Sequence, residues 1–327
     1  MKRFLAILLA LVLLTCVAAG CNNGGTDKPE EGTTNPTEPA KTADAYTLLK
    51  EAVEKTNALD SIEAKMNAAV KMAAGGMTME VPMKVEMQIS GLKSEKPVSY
   101  VVTESELFSM KTVQRVYTDA DTVYVDQGDA KFKVARDSEE AENYSSSLQL
   151  DSFVKVLPEE ALKGASVTEN ADGSKSVSAD IPADVFASYF KDMMASMANA
   201  NAGDADELDG AQFDVKSAHV DFTVLANGYL GIYNLAFNMD VTGPSGEDGA
   251  ETATIGYDMK VDTEYVEPGK DVTVTVPADL DQYLTYDEYL STTLNDDEDW
   301  DWDDDDSDSD WDDTDDTDDS DEDSDGE

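Results

Sequence analysis

The chain has 327 residues but only two cysteines and one histidine, so sites that need several thiolates or imidazoles are excluded at once. The single histidine, His219, lies among Ala218, Val220, Phe222 and Val224. Their alternation predicts a strand with one buried face, which turns His219 and Asp221 together toward solvent. An imidazole beside a carboxylate is half of a hydrolytic constellation, but no matching nucleophile accompanies it. Gly243-Pro244-Ser245-Gly246 lacks the spacing and the strand-turn-helix setting of a nucleophile elbow. Phosphate-loop and dinucleotide fingerprints are also missing. The expectation is a surface histidine in a protein that is not an enzyme and carries no cofactor.

Methionine is more informative, with 13 in the chain. Met66, Met72, Met77, Met79, Met83 and Met87 fall on one face of a predicted hairpin, and Met193, Met194 and Met197 on one face of a predicted helix. A flexible thioether adapts to apolar partners of changing shape, so such a face suits lipid tails; it equally suits an ordinary core. The candidate ligand-lining residues are Met66 and Met72 on the first strand and Met79, Met83, Val85, Met87 and Ile89 on the second. Phe190 and Met194 on the helix, with Phe237 and Met259 on later strands, complete the set.

Acid dominates the charge. The net value is −48, and residues 296–327 hold 22 Asp or Glu with no Lys or Arg. Such a balance repels nucleic acid and anionic surfaces and favours cations, basic partners or plain solubility. Asp299, Asp301 and Asp303 occupy the alternate positions that calcium loops use, but the glycine at position six and the closing glutamate are missing. They are weak calcium candidates, and no other metal site is expected. The reading from 295 onward is a solvated, self-repelling, disordered acidic tail. Trp300, Trp302 and Trp311 all lie in it, where acids around aromatic anchors could grip a basic partner or a cell-wall polymer.

At the other end, Lys2 and Arg3 precede the apolar run Phe4–Val17 and the small residues Ala18-Ala19-Gly20-Cys21. A basic start, a short apolar centre and a small-residue cleavage site form a secretory signal, too short for an ordinary membrane span. Ala-Ala-Gly-Cys resembles the lipobox of bacterial lipoproteins, with Ala18 where that family most often has Leu. The resemblance implies cleavage before Cys21 and a diacylglyceryl group on its thiol, with a further N-acyl chain possible. Two or three chains make a stable attachment, placing the protein on the outer face of the cell membrane. Cys16 leaves with the signal, so the mature chain has no disulfide and rests on its core. Residues 21–43 read as a disordered tether, and about twenty such residues reach roughly 25 Å.

The folded part is expected over 44–294. Asp44 caps a helix carrying Ala45, Leu48, Leu49, Ala52, Val53 and Thr56 on one face. Two long alternating strands follow around Gly75-Gly76, with Pro82 on the wet side marking an edge or bend. Shorter strands are predicted at Val98–Phe108, Thr112–Thr118, Thr122–Asp126 and Lys131–Ala135. A helix is expected through Leu148–Leu157, a hairpin around Asp172-Gly173, and a helix after Pro182 presenting Val185, Phe186, Tyr189, Phe190, Met193, Met194 and Met197. An acidic loop spans Asn199–Asp209. The strands Phe213–Leu225, Tyr229–Val241, Thr252–Thr263 and Val272–Val276 follow, then a short helix with Leu280, Tyr283 and Leu284. Long strands joined by tight turns make this α+β and antiparallel. The apolar helix must bury its face on the sheet.

This order, with lipobox, tether and N-terminal helix, resembles the LppX, LprG and LolA type of envelope lipoprotein over roughly residues 21–277. The resemblance implies a curved antiparallel half-barrel whose helices cover the concave face around a cavity for acyl chains. A membrane-anchored carrier or sensor of a hydrophobic ligand is one expectation. The alternative is a non-enzymatic surface interaction protein, its sheet a scaffold and its acidic tail the contact for cations or a basic partner. An open apolar cavity favours the first, a closed core the second.

Overall fold

The computed structural model describes residues 44–145, 157–200, 211–245 and 251–294. The signal, Cys21, the tether and the tail with Asp299, Asp301 and Asp303 lie outside these residues. So do residues 148–156 of the expected helix and residues 201–209 of the acidic loop.

Helix α1 is Ala45–Asn57. The Asp44 carboxylate accepts from the Thr47 backbone N–H at 2.8 Å, and such a cap contributes about 1 kcal/mol. Leu48, Leu49, Ala52 and Val53 are buried on its inward face. Strands β1 (Ser61–Ala74) and β2 (Met77–Ser90) pair over their full length, Ser61 with Ser90 and Ala74 with Met77. Gly75 and Gly76 turn between them with φ of 56° and 83°, values a side chain would resist. Pro82 is exposed, and the β2–β3 register begins at Met83. The stretch through Pro82 is therefore a local edge, although β2 lies inside the sheet.

The remaining strands are β3 (Val98–Leu107), β4 (Met110–Thr118), β5 (Thr122–Asp126), β6 (Lys131–Ala135), β7 (Ser166–Glu169) and β8 (Lys175–Asp180). β9 (Gln212–Val224), β10 (Leu230–Ser245), β11 (Glu251–Tyr265) and β12 (Leu284–Thr285) follow. They form one twelve-stranded sheet in the order β12-β6-β5-β4-β3-β2-β1-β11-β10-β9-β8-β7. All its neighbours are antiparallel except β12 and β6. The result is an open, curved α+β half-barrel.

Helices cover one face of the sheet, here the inner face. On α3 (Ala183–Ala200), Phe186 meets Phe237 with ring centroids 5.0 Å apart, and Phe190 meets Phe213 at 5.9 Å. α1 is held by Thr56, whose Oγ1 donates to Ala52 O at 2.7 Å and accepts from the Leu230 N–H at 3.0 Å. A second, smaller cluster of Val116, Val123, Val125, Phe132, Val134 and Ala141 continues the same face toward β6. It is covered by Tyr144 of α2 (Glu139–Ser145) and by Tyr286 and Tyr289 of α4 (Tyr286–Leu294). Tyr289 stacks on Phe132 at 4.5 Å.

Two expectations are corrected. Val272–Val276 is not a strand but an extended strap lying on the outer face. Its Val272 N–H donates to Ser61 Oγ at 3.3 Å and its Thr275 N–H to Gln88 Oε1 at 3.0 Å. Asp279 then pairs with Lys131 of β6, and Tyr283 meets Tyr124 edge-on at 5.5 Å. The short helix expected with Leu280, Tyr283 and Leu284 is a single 3-10 turn at Leu280–Gln282 followed by β12. Strand pairing with β6 consumes Leu284, so the helical spacing is not used.

Candidate functional site

The inner face gathers the predicted lining residues. Alternation sends Met66 and Met72 of β1 and Met79, Met83, Val85, Met87 and Ile89 of β2 to that face. There they join Phe237 of β10, Met259 of β11 and Phe190 of α3 in one apolar cluster. Met194 is buried on α3. Register sets the contacts: Met72 faces Met79 and Tyr257, Val70 faces Met259, and Phe237 faces Met259.

No charged side chain lies on this face along Ile62–Ala74, Met77–Ile89, Tyr233–Val241 or Ala253–Tyr265, as the alternation of burial and residue type shows. Its polar atoms there are the hydroxyls of Thr263, Tyr233, Tyr257 and Tyr265, with Tyr189 of α3 nearby. Burial pushes the Tyr189 phenol up to about 12. It raises those of Tyr233, Tyr257 and Tyr265 as well, so the face stays neutral across physiological pH. The Tyr257 hydroxyl is buried and has no hydrogen-bond partner among the described residues.

The covering is uneven. Met66, Met72 and Met83 are 7 % exposed and Ile89 is fully buried, as a packed core requires. In the middle of the sheet, Leu235, Met259 and Val261 remain half-buried, although their inner-face neighbours Val70, Phe237 and Met239 are closed over. Leu235 pairs with Val261, which in turn pairs with Ala68. These adjoining apolar side chains form a half-buried patch at the margin of the main cluster. Sequence analysis names Met259 but misses Leu235 and Val261, because alternation assigns a face and says nothing of what covers it.

Two open grooves lie away from the inner face, the first of mixed polar and apolar lining and the second lined by charged residues. One, of about 160 Å³, runs beneath the strap between Glu63, Lys65, Glu86, Gln88, Tyr100 and Thr275. The other, of about 370 Å³, lies among Glu95, Lys96, Asp121, Arg136 and Asp137.

His219 is on the outer face, as its alternation predicts. The β8–β9 register adds what the sequence could not show: Asp180 sits opposite His219 and Ser178 opposite Asp221. His219 Nδ1 is 2.7 Å from Asp180 Oδ1, while Nε2 lies 3.1 Å from Ser178 Oγ and 3.3 Å from Asp221 Oδ1. The connectivity is that of a Ser–His–Asp triad, but a carboxylate shares the nitrogen that would serve as base. The hydrogen bond that Nδ1–H donates to the Asp180 carboxylate raises the imidazole pKa, helped by Asp221 and opposed by burial. Both carboxylates thus favour the protonated ring, the form that cannot take a proton from Ser178. The described residues include no group of three or more His, Cys, Asp or Glu able to hold a metal ion.

An open antiparallel sheet with a neutral, methionine-rich inner face under helices defines a protein of the half-barrel class. The chain belongs to a family of unknown function, DUF6612, which matches residues 44–283. No curated protein matches the sequence. Among solved structures, it is similar to LprF from Mycobacterium bovis at 12 % identity and a TM-score of 0.35, covering 72 % of this chain and 97 % of that one. A DUF1329 family protein from Desulfovibrio piger is similar at 11 % identity and TM-score 0.24, over 69 % of this chain and 93 % of that one. The LolA superfamily protein NE2245 from Nitrosomonas europaea is similar at 9 % identity and TM-score 0.20, over 73 % and 96 %.

Proposed function

We propose that this is a lipid-anchored envelope protein that binds a hydrophobic ligand without catalysing a reaction. The observation that carries the reading is the half-buried patch of Leu235, Met259 and Val261 within a face that has no charge to repel an acyl chain. Neighbouring methionines adapt to the chain's shape. Cys21 supplies the anchor and residues 22–43 the tether; no described helix is long and apolar enough to cross a membrane. The test is uptake of a fluorescent fatty-acyl probe by the parent protein, with lipid extraction and mass spectrometry of what co-purifies. Leu235→Trp should fill the patch and abolish uptake while leaving the melting temperature close to the parent's. A parent that takes up no probe and carries no lipid would refute ligand binding.

A second reading has its own support. Met83, Met87 and Ile89 are closed over as tightly as any structural core. The sheet then serves as a rigid scaffold, and the acidic tail from 295 engages cations or a basic partner. On that reading the Leu235→Trp protein binds the same partners as the parent, and calcium or a basic polymer titrates the tail tryptophans.

A further inference from the structure

The three most exposed large apolar side chains among the described residues are Met77, Phe108 and Met110, at 76, 75 and 64 %. They belong to two neighbouring hairpins. β2 runs away from the Gly75-Gly76 turn while β3 runs toward its own, so both turns lie at the same end of the sheet. The turns Asp119–Asp121 and Ala226–Gly228, at the opposite end, expose no large apolar side chain.

The β3–β4 turn is unusual in its residues. Leu107 pairs with Met110, leaving Phe108 and Ser109 as a two-residue loop with φ of 51° and 66°. Both positions call for Asn or Gly, and a bulky aromatic is among the least suited residues there. Phe108 nevertheless stands there three-quarters exposed. Folding alone would replace it, so its use belongs to what the turn touches.

We propose that the β1–β2 and β3–β4 turns are a second membrane contact, with Met77, Phe108 and Met110 dipping into the interfacial zone of a lipid bilayer. Three observations favour lipid as the occupant. The tether before Asp44 starts at the residue read as lipidated, and its reach of roughly 25 Å keeps the domain against the surface. The residues flanking the turns are almost neutral in a chain of net charge −48: Lys71 and Lys111 stand against Glu80, Glu104 and Glu106. Lys111 and Glu104 pair at 2.9 Å. Separate, exposed apolar fingers suit a fluid interface, which needs no matching shape. The contact would fix which end of the sheet faces the bilayer, which a flexible tether cannot do. It rests on the anchored reading only for the presence of a membrane nearby.

The test supplies the tether independently of Cys21. The mature chain from Asn22, with an N-terminal hexahistidine tag and an environment-sensitive dye on Ser109→Cys, is held on phosphatidylcholine vesicles containing a nickel-chelating lipid. Dye emission should shift to the blue and be quenched by lipids spin-labelled high on the acyl chain. The same dye on Lys93→Cys, at the other end, should report water. Adding Met77→Ser and Met110→Ser should weaken the quenched fraction by about tenfold. Phe108→Asn, in a chain labelled at Met77→Cys, should reduce quenching while the melting temperature holds or rises, since Asn suits the turn. A dye at position 109 that stays in water on the vesicles would overturn the proposal. So would a blue shift that appears without vesicles as protein concentration rises, because the occupant would then be a second copy of the chain.

Discussion

Replacing Thr56 by Val separates two explanations of how α1 is held on the sheet. Thr56 is 3 % exposed, and its hydroxyl is the acceptor for the backbone N–H of Leu230, a residue with no exposure at all. That N–H lies where the β9–β10 register slips between Leu230 and Ile232. Val keeps the shape and has a similar helix propensity, so the change removes the hydroxyl with its bonds to Leu230 N–H and Ala52 O and little else; of the two, only the Leu230 donor is left buried and unpaired. A buried donor left without an acceptor costs about 1–3 kcal/mol. Thr56→Ser does the reverse, keeping the hydroxyl and losing one methyl at about 0.8 kcal/mol. If the hydrogen bond dominates, stability falls in the order Thr, Ser, Val; if packing dominates, Val equals or exceeds Thr and Ser is the weakest. Urea midpoints at unchanged m-value rank the three proteins directly. A Val variant as stable as the parent would refute the role assigned to this contact.

Other outcomes follow from the same geometry. Met83→Ala should cost about 2–5 kcal/mol by urea unfolding, because Met83 is closed inside the main cluster; a loss well under 1 kcal/mol would show slack in the packing around it. His219→Gln should show its largest thermal deficit near pH 6 and little by about pH 9. The folded pKa is raised above the ordinary 6.5, so the imidazolium's stabilisation is complete below that value and lost as pH climbs through the raised one. The group is more than a third exposed, so solvent screening holds the deficit within about 1 kcal/mol; a deficit that grows with pH would contradict the assignment. Cys21→Ala should leave the protein unprocessed or release it from the membrane fraction. A variant still cut after Gly20 and still partitioning into detergent would remove the anchor from the proposal.

Much of the sheet was legible because period-two alternation is strict where one face is closed and the other wet. Met77–Ile89 and Tyr233–Val241 could be placed from that pattern alone. Val272–Val276 shows its limit. The segment alternates Val and Thr as a strand would, but β1 already pairs with β2 and β11, and β6 with β5 and β12. With no free edge in reach, it lies across the outer face instead. Helix α2 escaped notice because Ala141 and Tyr144 are its only apolar residues at helical spacing, and three glutamates surround them. For the candidate site, the face was readable and the gap in its cover was not, since cover depends on where helices cross the sheet. The partners of His219 were hidden for a related reason: Ser178 and Asp180 reach it only through the register of β8 against β9.

The sheet order has a consequence for how the chain folds as it is made. β6 through β1 are neighbours in sequence as well as in space, so that half can zip together through short-range hairpins as it emerges. The free side of β1, however, must wait for Gly256–Tyr265, nearly two hundred residues later. Until then a long strand with an apolar face has an open edge, the kind of template that recruits other unfinished chains. The lysines at 65 and 71, on the wet face of β1, place charge along that edge while it waits. Completion comes from the C-terminal side: pairing of β11 closes the edge, and the strap then ties β1 to β6, with Lys131 and Asp279 joined across 148 positions of sequence. Premature termination anywhere before residue 256 should therefore yield aggregates rather than a smaller soluble domain.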